Sequence, residues 1–146
     1  MPHLMLKIFL LTVLMVCSAA NAETEGRKKF GPYEVSVSTF NSLFVGADVA
    51  KVHNLVRAKD QTLINVSVID ERTGTTVAAE VTATAKNLLQ QLKTITFKKI
   101  EEPGAVYYIG SLRHSNREIF HFNFDVKVDG EPNAFTFKMT KKLYTE

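Results

Sequence analysis

Strict alternation of apolar and polar side chains in residues 119–128 constrains this chain more than any other feature. The apolar positions are Phe120, Phe122, Phe124, Val126 and Val128, and the positions between them are His121, Asn123, Asp125 and Lys127. A period of two places successive side chains on opposite faces of a β-strand. We therefore predict a half-buried strand here, with its phenylalanines turned towards a core.

Six further segments carry strand signals: residues 33–40, 62–69, 77–85, 94–100, 105–112 and 135–144. Residues 105–112 are apolar on both faces, which indicates a central strand. Helix is restricted to single turns, one capped by Asp48 and one within residues 87–92. About seven strands without intervening helices predict an all-β fold, an antiparallel two-sheet sandwich of immunoglobulin-like type, with a closed barrel as the alternative.

The last two predicted strands should form a hairpin, because Asp129-Gly130 and Pro132 between them are turn residues. The expected inward pairs are Val126–Phe137, Phe124–Met139 and Val128–Phe135, with Asp125 opposite Lys138 on the outer face. Both strands must send their phenylalanines to one core, since a slip by one residue would expose them all.

The N-terminal residues predict export from the cytoplasm. Lys7 precedes an apolar run at residues 8–16, and Ala20-Asn21-Ala22 then matches a signal-peptidase site. The run is shorter than the roughly 20 residues that cross a bilayer. We predict a signal peptide at residues 1–22, cleavage after Ala22, and one mature domain, residues 23–146, in the periplasm without an integral membrane segment.

Cys17 is the only cysteine, so the mature domain has no disulfide. Val16 stands where lipoprotein processing requires a small residue, and this disfavours a lipid anchor at Cys17. Without Lys7, 17 basic residues stand against 15 acidic ones, a net charge of +2. So small an excess argues against nucleic acid as a partner. The basic run at residues 27–29 is expected in a flexible N-terminal tail.

Several short stretches resemble a domain-of-unknown-function family of small secreted proteins from gammaproteobacteria. They are residues 31–35 (GPYEV), 40–42 (FNS), 57–59 (RAK), 64–68 (INVSV), 82–90 (TATAKNLLQ), 105–109 (AVYYI) and 142–144 (KLY). The chain departs from the family pattern at Ser36 and Ser38. The resemblance implies a periplasmic β-sandwich and carries no established activity.

Catalytic and metal-binding patterns are not found in the sequence. His53, His114 and His121 are not spaced as metal ligands, so no metal or other cofactor is expected. There is no nucleophile elbow and no mature thiol, and the acidic pair Glu101-Glu102 precedes a Pro-Gly turn. We therefore expect no enzymatic activity.

Arg57 and Lys59 are the candidate binding residues. They lie in the connection between the first two predicted strands, where loops often carry function, and in a stretch that matches the family. The sequence favours a non-catalytic periplasmic protein that binds another envelope component, either a protein or a polymer. The alternative is a β-sandwich that binds a small ligand or a polysaccharide, for which the outward threonines of several strands would be suited.

Overall fold

The computed structural model describes residues 26–145. The predicted signal peptide (residues 1–22), the cleavage site after Ala22 and Cys17 lie outside the described residues. Alternation along the chain produces ten described strands: β1 (Arg27–Phe30), β2 (Tyr33–Asn41), β3 (Gln61–Asp70), β4 (Thr75–Thr76), β5 (Ala79–Asn87), β6 (Leu92–Ile95), β7 (Phe97–Glu102), β8 (Ala105–Arg113), β9 (Glu118–Val128) and β10 (Phe135–Leu143). A 3₁₀ turn (Ser42–Phe44) and the short helix α1 (Ala47–Val52) separate β2 from β3.

The strands form two antiparallel sheets. Sheet A has the order β1-β2-β3-β8-β7, with β4 beside β3, and sheet B has the order β10-β9-β5-β6. The predicted all-β, antiparallel two-sheet sandwich of immunoglobulin-like type is confirmed. The strand β8 lies between β3 and β7, as its apolar character on both faces predicted.

The core lies between the inner faces of the two sheets. Phenylalanines come from sheet B and β-branched residues from sheet A, as the alternation predicted: Phe120, Phe122, Phe124 and Phe137 pack with Val35, Val37, Ile64, Val66 and Val68. Rings of neighbouring strands stack, and the centroids of Phe124 and Phe137 are 4.9 Å apart.

One predicted strand, residues 94–100, is two strands. The chain leaves sheet B after Ile95 and enters sheet A at Phe97. This crossing passes directly over Gly110 of β8, where an added Cβ would lie 2.5 Å from Cγ2 of Ile95. The close approach therefore requires glycine at this position.

The basic run at residues 27–29 is not a flexible tail, so that expectation is wrong. The run lies in β1, which pairs with residues 33–36 of β2. Lys29 forms an ion pair with Glu71 at 3.1 Å, and Arg27 lies 3.8 Å from Glu34. The carbonyl oxygen of Gly26 also accepts from the Val37 N–H at 2.7 Å. These partners on other segments hold the strand in place.

The register of the last hairpin differs from the prediction by two residues. The observed pairs are Val126–Phe135, Phe124–Phe137 and Phe122–Met139. Val128 lies beyond the end of β10 but still pairs with Ala79 of β5. The connecting loop is consequently longer than predicted. A shift of two residues keeps every side chain on its face, so the predicted faces hold.

The outer face of this hairpin shows the same shift. Asp125 lies opposite Thr136, whose Oγ1 donates to Asp125 at 2.7 Å, and not opposite Lys138.

Asp48 lies in the first turn of α1, whose N-cap is Gly46. Residues 87–92 form a tight turn and no helix, because the Asn87 side chain accepts hydrogen bonds from the N–H groups of Leu89 and Gln91.

Candidate binding groove

One side of the sandwich has a seam, the gap between the β1–β2 edge of sheet A and β10, the outer described strand of sheet B. Phe30 of β1 fills this gap at one end of the molecule. Its ring stacks on Phe135 with centroids 4.7 Å apart and lies 6.1 Å from the ring of Phe137. Because β1 pairs only with residues 33–36 of β2, no described strand covers the seam along residues 38–41.

The uncovered part of the seam is a groove of about 450 Å³. Its apolar lining comes from the end of β2, the segment after it and the end of β10: Phe40, Leu43, Phe44, Leu143 and Tyr144. Lys141 and Lys142 line the β10 side, and none of the described lining residues is acidic. The groove therefore combines an apolar surface with positive charge on one wall.

The groove lies at what we call the apolar end, formed by residues 42–60, 88–92, 114–117 and 144–145. All the large hydrophobic side chains that are exposed among residues 26–145 belong to this end: Leu43, Phe44, Val49, Val52, Val56, Leu88, Leu89, Leu92 and Tyr144. The opposite, polar end, formed by residues 31–32, 71–74, 103–104 and 129–134, has none. Exposed apolar residues that are concentrated in one region typically mark an interaction site.

Buried hydrogen bonds hold the segment beside the groove. Ser42 is fully buried, and its Oγ donates to the Ala58 carbonyl at 2.8 Å and accepts from the Ala58 N–H at 2.9 Å. Asn41 Nδ2 donates to the carbonyl of Lys59 at 2.9 Å. These contacts bring together two stretches that the sequence analysis matched to the family, residues 40–42 and 57–59. The exposed apolar residues of the segment are thus attached to an anchored loop.

Arg57 and Lys59, the residues proposed from sequence, lie beside the groove without lining it. Nη2 of Arg57 is 3.4 Å from the carbonyl oxygen of Leu43, and the rest of this side chain is exposed. Lys59 is also exposed, and its backbone is held by Asn41. A binding role for either side chain stays a prediction.

Sequence reasoning missed the apolar residues of the groove, above all Leu43, Phe44 and Tyr144. The signal was present in the sequence. Large apolar residues recur through residues 43–56 without the alternation of a strand and without a helix long enough to bury them. Apolar residues that a fold cannot bury on its own indicate a contact surface.

A polar network closes the polar end. The Tyr33 hydroxyl donates to Glu131 at 2.8 Å, and this hydrogen bond raises the pKa of Tyr33. Arg72 donates to both carboxylate oxygens of Asp70, at 3.0 and 2.9 Å. These bonds hold the pKa of Asp70 below its ordinary value, against the opposing effect of burial. Because Arg72 also reaches the Tyr33 hydroxyl at 3.3 Å, the loops at this end are tied together.

The histidines are used in separate structural contacts. Nδ1 of buried His114 donates to the Ser115 carbonyl at 2.8 Å, so its Nε2 can accept from the Thr62 hydroxyl at 2.7 Å. His121 contacts Thr140 on the outer face of sheet B at 2.8 Å. Within residues 26–145, no three His, Cys, Asp or Glu side chains are grouped as metal ligands would be. None of the helices in this part of the chain is long and apolar enough to span a bilayer.

Fold and groove together define a two-sheet antiparallel sandwich whose edge seam, as far as residues 26–145 form it, is closed at one end and open at the other. Residues 27–146 match the model of the DUF4426 family, described as a domain of unknown function. The chain belongs to this family, which confirms the resemblance seen in its sequence. No match was found among curated proteins.

Solved structures share the fold. A DUF4426 family protein from Pseudomonas aeruginosa is 34% identical with a TM-score of 0.76, and the match covers 86% of this chain and 98% of that one. FetP of uropathogenic Escherichia coli, recombinantly expressed in the periplasm, has a TM-score of 0.61 at 10% identity, over 82% and 94% of the two chains. A copper-bound FetP variant gives the same TM-score at 8% identity, over 81% and 93%. At these identities the likeness to FetP concerns the fold alone.

Proposed function

We propose that this protein is a non-catalytic periplasmic protein that binds another component of the cell envelope through the groove at its apolar end. The observation that carries the proposal is the concentration of exposed large apolar side chains around the groove, led by Phe44, which is 84% exposed. Removing one such side chain from water contributes about 1.5–3 kcal/mol. A partner that covers this end would gain that free energy several times over.

The character of the groove favours a polypeptide partner. Small-molecule sites usually have a few convergent polar groups that orient the ligand, whereas this groove is lined mainly by Phe40, Leu43, Phe44, Leu143 and Tyr144. An uncovered strand edge beside an apolar surface is what strand addition uses. The alternative is a small-ligand or polysaccharide site, for which the volume of about 450 Å³ is sufficient.

Export to the periplasm is supported by the predicted signal peptide, in which Lys7 and an apolar run precede Ala20-Asn21-Ala22. We expect the mature protein to begin at Glu23 and to be recovered in soluble form from the periplasm. N-terminal sequencing and mass measurement of the fractionated protein test this. A lipid on Cys17, or a chain that retains residues 1–22 in the membrane fraction, would contradict it.

The copper of the FetP variant is not expected here. The side chains of His114 and His121 already contact Thr62, Ser115 and Thr140, and residues 26–145 contain no grouped set of metal ligands. Elemental analysis of periplasmic protein should find no stoichiometric copper or zinc. One tightly held ion per chain would overturn this part of the proposal.

The binding proposal can be tested by placing a photo-crosslinking amino acid at position 44 in intact cells and identifying the adducts by mass spectrometry. The matched control carries the same amino acid at position 133, where Asn133 is exposed at the polar end. We expect adducts with a defined envelope component from position 44 and not from position 133. Absence of adducts from position 44, or the same products from both positions, would refute the proposal.

A further inference from the structure

The groove continues the line of β1. This strand runs antiparallel to β2 and pairs with residues 33–36, and Gly26 still reaches Val37 through a hydrogen bond at 2.7 Å. The groove begins where that pairing stops. At the closed end of the seam, Phe30 inserts its ring between β2 and β10. An extended chain in line with β1 could do the same at the open end.

The charges around the groove favour an acidic occupant. Lys141 and Lys142 line it, and Arg57 contacts Leu43 at its edge. Asp60 and Glu118, two acidic residues near this end, have local partners of their own. Asp60 is held by Arg113 at 2.9 Å, and this contact lowers the pKa of Asp60.

Glu118 is engaged in the same way. It accepts from the Ser115 N–H at 2.9 Å and from the Asn87 amide at 3.0 Å. Burial raises the pKa of Glu118, but these hydrogen bonds together with the nearby charges of Lys93 and His114 outweigh burial, and the pKa is lowered. Both carboxylates are therefore bonded elsewhere in the fold, and the exposed side chain of Lys142 on the groove wall can meet an incoming acidic group.

We propose that the groove binds an extended, acidic segment of another polypeptide, which lies along the seam in line with β1 and inserts an apolar side chain as Phe30 does. This inference rests on the proposed function and specifies its partner. Main-chain hydrogen bonds to the uncovered strand edge would supply affinity, and the apolar and basic residues of the groove would supply specificity.

Lysines along β10 disfavour a second copy of this chain as the occupant. Lys138, Lys141 and Lys142 all belong to this outer strand. Pairing two β10 strands would bring lysines of both copies together, and like charges on paired strands are destabilising. Lysines on edge strands commonly prevent self-association in this way. An acidic strand would meet the same lysines with opposite charge.

Two synthetic peptides test the charge and the conformation of the occupant. The acidic probe has the sequence Glu-Val-Glu-Phe-Glu-Val, and its control replaces each Glu by Lys. We expect the mature protein to bind the acidic probe at least about tenfold more tightly by fluorescence anisotropy, a difference of about 1.4 kcal/mol. The acidic probe should also slow amide hydrogen exchange in residues 38–41 or 137–143. Equal binding of both peptides, or binding without protection of either strand edge, would overturn the proposal.

A matched pair of variants locates the binding site. Lys142 and Lys138 are both exposed on the outer face of β10, but only Lys142 lines the groove. We expect Lys142→Glu to weaken the acidic probe about 2- to 5-fold, as for an exposed ion pair, and Lys138→Glu to change it less. Melting curves would show that both variants are folded. Equal losses in the two variants would contradict a site in the groove.

The adduct formed in cells from position 44 separates the two proposals. A crosslinked peptide that is acidic and extended in the partner supports the inference. Attachment to a second copy, to a basic segment or to a polymer overturns the inference and leaves binding at the apolar end in place. Attachment to residues 23–25 of the same chain overturns both proposals. Absence of any adduct refutes the proposed function itself.

Discussion

Phe30 and Phe44 lie towards opposite ends of one seam, and they differ in whether a described strand covers β2 beside them. Beside Phe30, β1 covers β2 and the ring stacks on Phe135. Beside Phe44, no described strand covers β2, and the ring is 84% exposed. The difference shows that the seam can accept a strand with an aromatic side chain and that residues 26–145 supply such a strand at one end only.

The loop beside the groove at the apolar end is nevertheless held by hydrogen bonds to the sandwich. The buried Ser42–Ala58 hydrogen bonds and the Asn41–Lys59 contact attach its loop to the sandwich. Nζ of Lys98 in β7 reaches the carbonyl oxygen of Asn54 at 2.9 Å. Side chains exposed on a loop that is anchored in this way are preorganised, which lowers the entropic cost of binding.

The largest expected effect is at the ring that β10 contributes to the core. Phe137 is 6% exposed and stacks on Phe124. Because truncation of a core phenylalanine leaves a cavity, Phe137→Ala should lower the free energy of unfolding by about 3–5 kcal/mol. Urea denaturation measures this change. The matched outer-face change in the same hairpin, Asp125→Ala, should stay within about 0.5 kcal/mol. The reverse order would refute the assignment of faces.

A smaller effect is expected at the anchor of the open end. Ser42→Ala leaves the partly buried N–H and carbonyl of Ala58 without their partner, which should cost about 1–3 kcal/mol. Since the contact secures one loop, amide exchange should accelerate mainly in residues 43–58. The control is Ser38→Ala on the exposed face of β2, which should change neither stability nor exchange. Unchanged exchange in Ser42→Ala would show that the loop is held by other contacts.

Asp70 at the polar end should make the free energy of unfolding depend on pH. Hydrogen bonds from Arg72 lower the pKa of Asp70 in the folded state below its unfolded value of about 3.9. A lowered folded pKa adds stability above the unfolded pKa, and this stability is lost as the pH falls through the folded pKa. Asp70→Asn should therefore reduce stability near pH 6 and reduce it less at pH 2–3. Denaturation curves across this range test the sign. A deficit that grows towards acid would contradict it.

Alternation was sufficient to predict the faces of the strands but not their ends or partners. A shift of two residues leaves every side chain on its face, so the register of β9 and β10 was not determined by the pattern. In the structure β9 continues past Phe135, the first residue of β10, and Val128 pairs with Ala79 of β5 alone. The break between β6 and β7 was missed because apolar Ile95 and Phe97 continue the alternation across it. Only the close packing of both side chains over Gly110 reveals the crossing.

The groove could not be predicted from alternation for a related reason. It exists because β1 covers only part of β2, and β1 itself was taken for a tail. Its charges suggested a solvated segment, whereas Glu34 and Glu71, which are distant in sequence, supply the partners of Arg27 and Lys29. The structure places Arg57 and Lys59 in the loop that also contributes Leu43 and Phe44 to the groove, and their binding role stays a prediction.

The smallest effect on stability is expected at Phe44, and it distinguishes the two ends most directly. At 84% exposure this ring contributes little to the core, so Phe44→Ala should change the free energy of unfolding by no more than about 0.5 kcal/mol. The same change should weaken the acidic peptide probe, because the ring lines the groove. Phe30→Ala should do the opposite, with a clear loss of stability and little change in binding once the folded fraction is considered. Denaturation and anisotropy on both variants give the comparison. If Phe44→Ala destabilised the protein as much as Phe30→Ala, the Phe44 ring would be part of the packed core. Its exposure would then no longer support a binding site in the groove.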